Sequence, residues 1–206
     1  MKYILEPYVK DLQLSGELEN NIRLFFLSHN DLETLNHTIT VANEAERVAR
    51  LYGADPHKAK QAGLLHDISN VIPASEMLAV AKQLSIELLD DEYKYGRIVH
   101  QKLSKAMAVE IFKIHDEEIL DAIECHTTLK PKSSLLDKVL FISDKISWEL
   151  QGDHQYLIDI REKVNDHKLD EGILTYLNHI WEQRDKMKLV HPWLIKAREE
   201  LLNLKL

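Results

Sequence analysis

The chain has a single cysteine, Cys125, so it cannot form an intramolecular disulfide, and a reducing compartment is expected. Only six glycines and five prolines punctuate its 206 residues. That is too little punctuation for a fold of many short strands and turns, so helices are favoured. No apolar run is long enough to span a bilayer. The start, Met1-Lys2-Tyr3-Ile4-Leu5-Glu6-Pro7, lacks the apolar stretch of a signal peptide. The expectation is a cytoplasmic protein with no membrane contact. Positive charge is also scarce: 26 Lys and Arg stand against 34 Asp and Glu, a net charge of −8. Such a chain repels a phosphate backbone, which argues against sequence-independent nucleic-acid binding. A small anionic substrate is still allowed, because a metal or local lysines can reverse the field inside a pocket.

What is present points to one all-α domain. The length suits a single core, and the apolar residues recur at three- and four-residue spacing. From Asp31 to Tyr52, residues Leu35, Ile39, Ala42, Ala45, Val48 (or Ala49) and Tyr52 share a face. Gly53 then ends that helix, as a residue tolerating positive φ would. Asp55-Pro56 starts the next helix with an N-cap and a proline at the first position, and it runs to about His66. Further helices are expected over Ser75–Leu84, Gln101–Ile114, Asp116–Cys125, Ser134–Trp148, Asp170–Met187 and Pro192–Leu204. Leu88–Gly96 and the stretch around Lys130-Pro131-Lys132 read as loops. The first thirty residues read as an added helical segment before a domain over 31–206. Trp148, Trp181 and Trp193 sit at helical spacing with other apolar residues, which favours core packing over base stacking.

One dipeptide stands out. His66-Asp67 closes the apolar run Ala62-Gly63-Leu64-Leu65 and places a nitrogen and a carboxylate ligand on one turn. With eleven His and fifteen Asp, about one such pair is expected by chance, and His115-Asp116 is a second. The surroundings separate them. Asp116 precedes Glu117-Glu118 and reads as an N-cap, with His115 as a solvated neighbour. His66-Asp67 follows an apolar helix and faces a core or cleft. Four more candidates lie within or beside apolar faces: His37, His100, His126 and Asp144. Asp144 sits in Phe141-Ile142-Ser143-Asp144, where an unpaired carboxylate costs several kcal/mol, so it needs a partner such as a cation. Singly, each histidine is more often a satisfied residue than a ligand. The order His…His-Asp…His…His…Asp makes a metal site the better reading.

These residues sit in the strings Leu35-Asn36-His37-Thr38, Gly63-Leu64-Leu65-His66-Asp67-Ile68, Ile98-Val99-His100, Ala122-Ile123-Glu124-Cys125-His126-Thr127-Thr128 and Ser134 to Asp144. In them the chain resembles the HD-domain superfamily of metal-dependent phosphohydrolases. It is most similar to the YqeK family, the symmetrical hydrolases of diadenosine tetraphosphate. Leu157-Ile158-Asp159-Ile160-Arg161 and Val190-His191-Pro192 extend the likeness. The resemblance implies a helical HD-domain bundle. It implies that His37, His66, Asp67 and Asp144 bind one metal, while Asp67 bridges to a second held by His100 and His126. Iron is the implied metal, with manganese or zinc also suited to imidazole and carboxylate ligands. Two neighbouring ions supply a water nucleophile and neutralise charge on phosphoryl oxygens. The implied partner is a small nucleotide substrate, and a homodimer stays open.

The match departs from the family pattern on the substrate side. A basic residue three positions before the first metal histidine is Thr34 here. The one commonly three positions after the His-Asp pair is Asn70. The Glu-Pro and arginine after the last metal aspartate are replaced by Lys145-Ile146-Ser147-Trp148-Glu149-Leu150-Gln151-Gly152-Asp153. Charge-assisted contacts to a polyphosphate are therefore reduced. Other cations are expected to compensate. Arg97 and Lys130 join Asp67 as the catalytic expectation, and Thr127, Thr128, Lys130 and Lys132 are the expected substrate contacts. Lys145, beside Asp144, is a further basic neighbour. A solvated surface charge is the alternative for each cation, and helix capping for the two threonines. Symmetrical tetraphosphate cleavage leads. A nucleotidase or phosphatase of other specificity, and a non-catalytic nucleotide-sensing module, remain open.

Overall fold

The computed structural model describes residues 2–9, 12–14, 16–148 and 154–204. Ten α-helices and five short 3₁₀ turns make up its regular structure, and no strand occurs among the described residues. The helices are α1 (Leu18–Ser28), α2 (Leu32–Tyr52), α3 (Pro56–Leu65), α4 (Met77–Gln83) and α5 (His100–Glu110). They continue as α6 (Glu117–Cys125), α7 (Leu135–Ile146), α8 (Gln155–Asn165), α9 (Leu169–Glu182) and α10 (Pro192–Asn203).

Local chemistry sets most of the boundaries. Asp31 caps α2 by accepting from Thr34 N at 3.0 Å, and Gly53 ends it in the left-handed region at φ 75°. Asp55 accepts from His57 N and Lys58 N at the start of α3, with Pro56 in the first turn. Asp116 accepts from Glu118 N and Ile119 N to cap α6, and the exposed His115 stands outside the helix, as read from the sequence. Ser134 and Asp137 exchange side-chain and backbone bonds at the start of α7.

Several expected spans shorten. The helix expected over Gln101–Ile114 ends at Glu110, and the chain turns with Lys113 at φ 59°. The one expected over Asp170–Met187 stops at Glu182, then forms a 3₁₀ turn at Arg184–Lys186. The expected loop Leu88–Gly96 holds a 3₁₀ turn at Asp90–Lys94. Helix α8 has no counterpart in the sequence reading. Its buried face is only Leu157, Ile160 and Val164, a narrow stripe within a polar segment.

Helices α2 and α3 form a hairpin and pack closely, because small residues meet between them. A Cβ on Gly63 would lie 2.6 Å from Ala42 Cα and 2.9 Å from Ala42 N, so only glycine fits. Helices α5, α6 and α7 complete the wall around this pair. Leu5, Ile22, Phe25 and Phe26 from the first thirty residues belong to the same core as Leu65, Met107, Ile123 and Phe141. The last helix is tied down by a buried ion cluster. Lys102 Nζ donates to Glu92 Oε2 at 2.7 Å, and His191 Nε2 donates to Glu92 Oε1 at 3.2 Å. His191 Nδ1 meanwhile accepts from Trp193 N. This triad fixes the segment before α5, which carries Arg97 of the site below and leads directly into His100. No helix among the described residues is long and apolar enough to cross a membrane.

Candidate metal centre

Helix ends bring the predicted ligands together. His66 and His126 are the residues that follow α3 and α6, His100 is the first residue of α5, and Asp67 begins the turn after His66. His37 comes from the second turn of α2 and Asp144 from the last turn of α7.

Three of the histidines share one device. The Nδ1 of His66 donates to Gly63 O at 2.7 Å, that of His100 to Arg97 O at 2.9 Å, and that of His126 to Ile123 O at 2.8 Å. A carbonyl only accepts, so in each ring Nδ1 carries the proton and Nε2 is left with a lone pair. All three lone pairs turn inward. His100 Nε2 lies 3.1 Å from His126 Nε2, and both lie 3.4 Å from Asp67 Oδ1. His66 Nε2 lies 3.5 Å from the other oxygen, Asp67 Oδ2, and 3.8 Å from Asp144 Oδ1. His37 Nε2 is 3.0 Å from Asp144 Oδ1.

This donor set fits metal ions. The Nε2 of His66 and Oδ1 of Asp67 are buried and make no hydrogen bond. Two unprotonated nitrogens 3.1 Å apart, facing a carboxylate, are mutually repulsive unless a cation sits among them. Three groupings have their ligand atoms within 4.8 Å of one another: His37, His66 and Asp67; His66, His126 and Asp144; and Asp67, His100 and His126. The two oxygens of Asp67 face different histidines, the geometry a shared ligand needs.

The electrostatics agree with this picture. Burial pushes the imidazoles of His66 and His100 down to about 4, so both are neutral, ligand-competent bases at neutral pH. Burial also raises Asp67, but as the pH falls and the neighbouring His66, His126 and His100 take up protons their charge outweighs it and holds that carboxyl well below the usual range. Asp144 likewise resists burial, through Lys145 first and then His37, and is ionised.

Residues behind the ligands hold them in place. Ser69 Oγ donates to His100 O at 2.8 Å, and Ser104 Oγ donates to Ser69 Oγ at 3.0 Å. Gln101 Oε1 accepts from Thr127 N and Gln101 Nε2 donates to Thr128 Oγ1, which locks α5 to the turn after His126. Lys145 is buried, not the solvated charge that its type suggests. Its Nζ donates to Asp144 Oδ2 at 2.5 Å and to His126 O at 3.2 Å, over the rings of Phe141 and Tyr176. A signal for this exists in the sequence: Lys145 is flanked by Phe141, Ile142 and Ile146 and sits beside Asp144, an acid already placed on an apolar helix.

The cluster opens into a polar cavity of about 470 Å³. Arg97, an expected catalytic residue, lines it with Asp67, and so does Thr127, an expected substrate contact, whose hydroxyl lies 3.1 Å from His100 Nε2. Thr34 and Asn70, the positions that lack a basic side chain, line it too, beside Asp31 and Glu33. The other expected contacts lie elsewhere. Lys130 is captured by two carboxylates, Asp121 at 2.8 Å and Asp137 at 3.4 Å. Lys132 is on a different face, its backbone N bonded to Glu200, and Thr128 is buried against Gln101. Trp148 departs from its expected place in the core. It is 45% exposed and forms part of the cavity wall, while Trp181 and Trp193 are half-buried. Residues 149–153, the rest of the segment that departs from the family pattern, lie outside the described residues.

A family model for the HD domain matches residues 34–149, which contain all six ligand candidates. The chain belongs to the HD domain family. This HD-domain protein is 36% identical, over 94% of its length, to a Lactococcus lactis subsp. cremoris protein named for its position in the pepC 5′ region, and the match covers 90% of that protein. It is also 35% identical to a symmetrical bis(5′-nucleosyl)-tetraphosphatase of Staphylococcus aureus and 33% identical to that of Bacillus subtilis. Those matches take in 54% and 53% of the HD-domain chain but only 57% and 59% of the enzymes, less than two thirds of either. Among solved structures, a predicted HD superfamily hydrolase involved in NAD metabolism from Clostridium acetobutylicum superposes with a TM-score of 0.82. It is 28% identical, over 90% of this chain and 97% of that one. Family match, relatives and ligand cluster agree on an HD domain built around a candidate metal centre.

Proposed function

We propose that the protein is a nucleotide hydrolase that cleaves diadenosine tetraphosphate symmetrically into two ADP. The observation that carries the reading is the Asp67 carboxylate, with one oxygen toward His66 and the other toward His100 and His126, at the floor of an open polar cavity. Kinship with two enzymes of that named activity supports it. His37, His66, Asp67 and Asp144 would hold one ion, and Asp67, His100 and His126 a second. Iron is the ion implied by resemblance, and manganese or zinc suits the same donors. When bound, such ions activate water and neutralise phosphoryl charge.

The chain's own groups do the rest. Arg97 stands at the cavity wall, where its guanidinium would grip a phosphate. Thr127 offers a hydroxyl beside His100. Lys145 takes one oxygen of Asp144, leaving the other for the cluster. In the reaction a P–O bond forms from water to one central phosphorus as the bridge between the two central phosphates breaks. The leaving oxygen belongs to a phosphate and is a weak base, so a cation suffices to receive its charge. We take residues 31–206 as the catalytic unit and 1–30 as an appended helical segment.

One observation favours a second reading. Thr34 and Asn70 are uncharged, and Asp31 and Glu33 stand on the same wall, so a long polyphosphate meets fewer cations and two extra anions. A nucleoside mono- or diphosphate needs fewer cationic contacts. A substrate panel with metal-reconstituted protein tests both. ADP as sole product from diadenosine tetraphosphate supports the first reading. Phosphate released only from mononucleotides replaces it with the second. Nucleotide binding without turnover under iron, manganese and zinc would overturn both.

A further inference from the structure

Trp148 has no role in the metal cluster, yet it occupies a conspicuous place beside it. It follows the end of α7, lines the cavity, and leaves 45% of its surface in water. One face of its indole packs on the His37 imidazole, with ring centroids 4.4 Å apart and planes 36° from parallel. Its main chain is held from behind. Arg161 of α8 donates to Ile146 O at 2.7 Å and to Trp148 O at 3.4 Å. The ring is thus clamped on one side by a candidate ligand and anchored at its backbone. The rest of the cavity wall is polar or charged: Asp31, Glu33, Thr34, Asn70 and Arg97. A large apolar ring gains little from burial there, since nearly half of it stays wet. What it does offer is a flat π surface packed directly against a residue of the candidate metal cluster.

We propose that Trp148 is a base-stacking wall: the nucleobase of the substrate lies on the indole while its phosphates face the histidine–aspartate cluster. The ligand class is a nucleotide, with a purine favoured for its larger stacking area. The proposal rests on the nucleotide reading above and deepens it. It also explains how a cavity short of basic side chains can hold its substrate, because stacking supplies affinity that Thr34 and Asn70 do not. Trp148 is a specificity residue on this view, because it selects nucleotides over other phosphate compounds.

The test uses full-length, manganese-loaded protein carrying Trp181→Phe and Trp193→Phe, so that Trp148 is the sole tryptophan. ADP and tripolyphosphate are the probes; both carry phosphates, but only ADP carries a base. ADP should quench the indole fluorescence and tripolyphosphate should not. Trp148→Ala should weaken ADP binding by roughly 5- to 150-fold, the range for loss of one base–aromatic stack. It should leave tripolyphosphate affinity and metal content unchanged, and Trp148→Phe should recover most of the ADP affinity. Equal losses for ADP and tripolyphosphate would mean that Trp148 merely shields His37, and would overturn the proposal. Unchanged ADP affinity in Trp148→Ala would overturn it too, while leaving the hydrolase reading standing. Stacking of ADP without turnover of any nucleotide keeps the wall and removes the hydrolase reading. A wild-type protein that binds neither nucleotide nor tripolyphosphate removes both.

Discussion

At the scale of single residues, the site depends on where protons are held. Three imidazoles each give their Nδ1 proton to a carbonyl three residues back, at Gly63, Arg97 and Ile123. Their Nε2 lone pairs then have nowhere to point but inward, toward Asp67. His66→Ala removes one lone pair and Asp67→Ala removes the shared carboxylate. Each should cost bound metal and lower hydrolysis by roughly 100-fold or more, beyond what loss of a supporting contact costs. His115→Ala, in the other His-Asp pair, should change neither, because His115 is exposed outside α6. Elemental analysis of the three variants checks this; equal metal in all of them would remove the site assignment. The sequence was legible here because ligands come in residue types that few other roles require, and their order separated one His-Asp pair from the other. It was not legible on the substrate side. Lys130 follows His126 by four residues, yet Asp121 and Asp137 turn it away from the cavity. Nearness along the chain does not say which carboxylate a flexible cation will meet. Trp148 misled for the opposite reason: helical spacing continued past the end of the helix.

At the scale of elements, the ligands are only as well placed as the helices that end at them. His66 depends on how closely α3 approaches α2, and that approach passes through Gly63 against Ala42. Gly63→Ala would put a methyl 2.6 Å from a backbone atom, with no side chain to swing aside. Overpacking of this kind costs typically about 1–3 kcal/mol, so a drop in Tm of several degrees is expected, with weaker metal retention because Gly63 O also holds His66. Calorimetry and metal analysis on the one variant would show both. Full stability of the Gly63→Ala protein would mean that the two helices are not held at this spacing. Asp116→Ala is the contrasting case. It removes the α6 cap and an ion pair with Lys58, and should cost about 1 kcal/mol with metal content unchanged. An equal loss of metal would tie the cap to the site. Caps were readable from sequence because Asp, Pro and Gly act on their immediate neighbours. Helix α8 was not, because its face of Leu157, Ile160 and Val164 acquires meaning only once α9 packs on it.

At the scale of the whole molecule, the inward-facing imidazoles couple metal, pH and stability. Without an ion, the fold keeps His66 and His100 neutral, with pKa values pushed down to about 4 by burial. In the unfolded chain the same groups titrate near about 6.5. Between those two values the unfolded chain takes up protons that the folded one refuses, so stability rises with pH across that window. The contribution is whole above about pH 6.5 and is lost as the pH falls toward about 4. The lowered carboxyls of Asp67 and Asp144 add their own loss only below the ordinary aspartate range, outside that window. Chelator-treated protein should therefore unfold at a lower urea midpoint at about pH 5 than at about pH 7.5, by an amount of the order of a few kcal/mol. Saturating metal at the higher pH should raise the midpoint further, because an ion that binds only the folded cluster stabilises it by mass action. The metal-dependent gain should shrink toward about pH 5 as protons compete for the same Nε2 atoms. A midpoint that is flat or rises on acidification, in the absence of metal, would mean that the histidines are buried as charged partners of Asp67 and Asp144. The cluster would then be an ion-paired core, complete without any metal, and the inward lone pairs would lose their meaning.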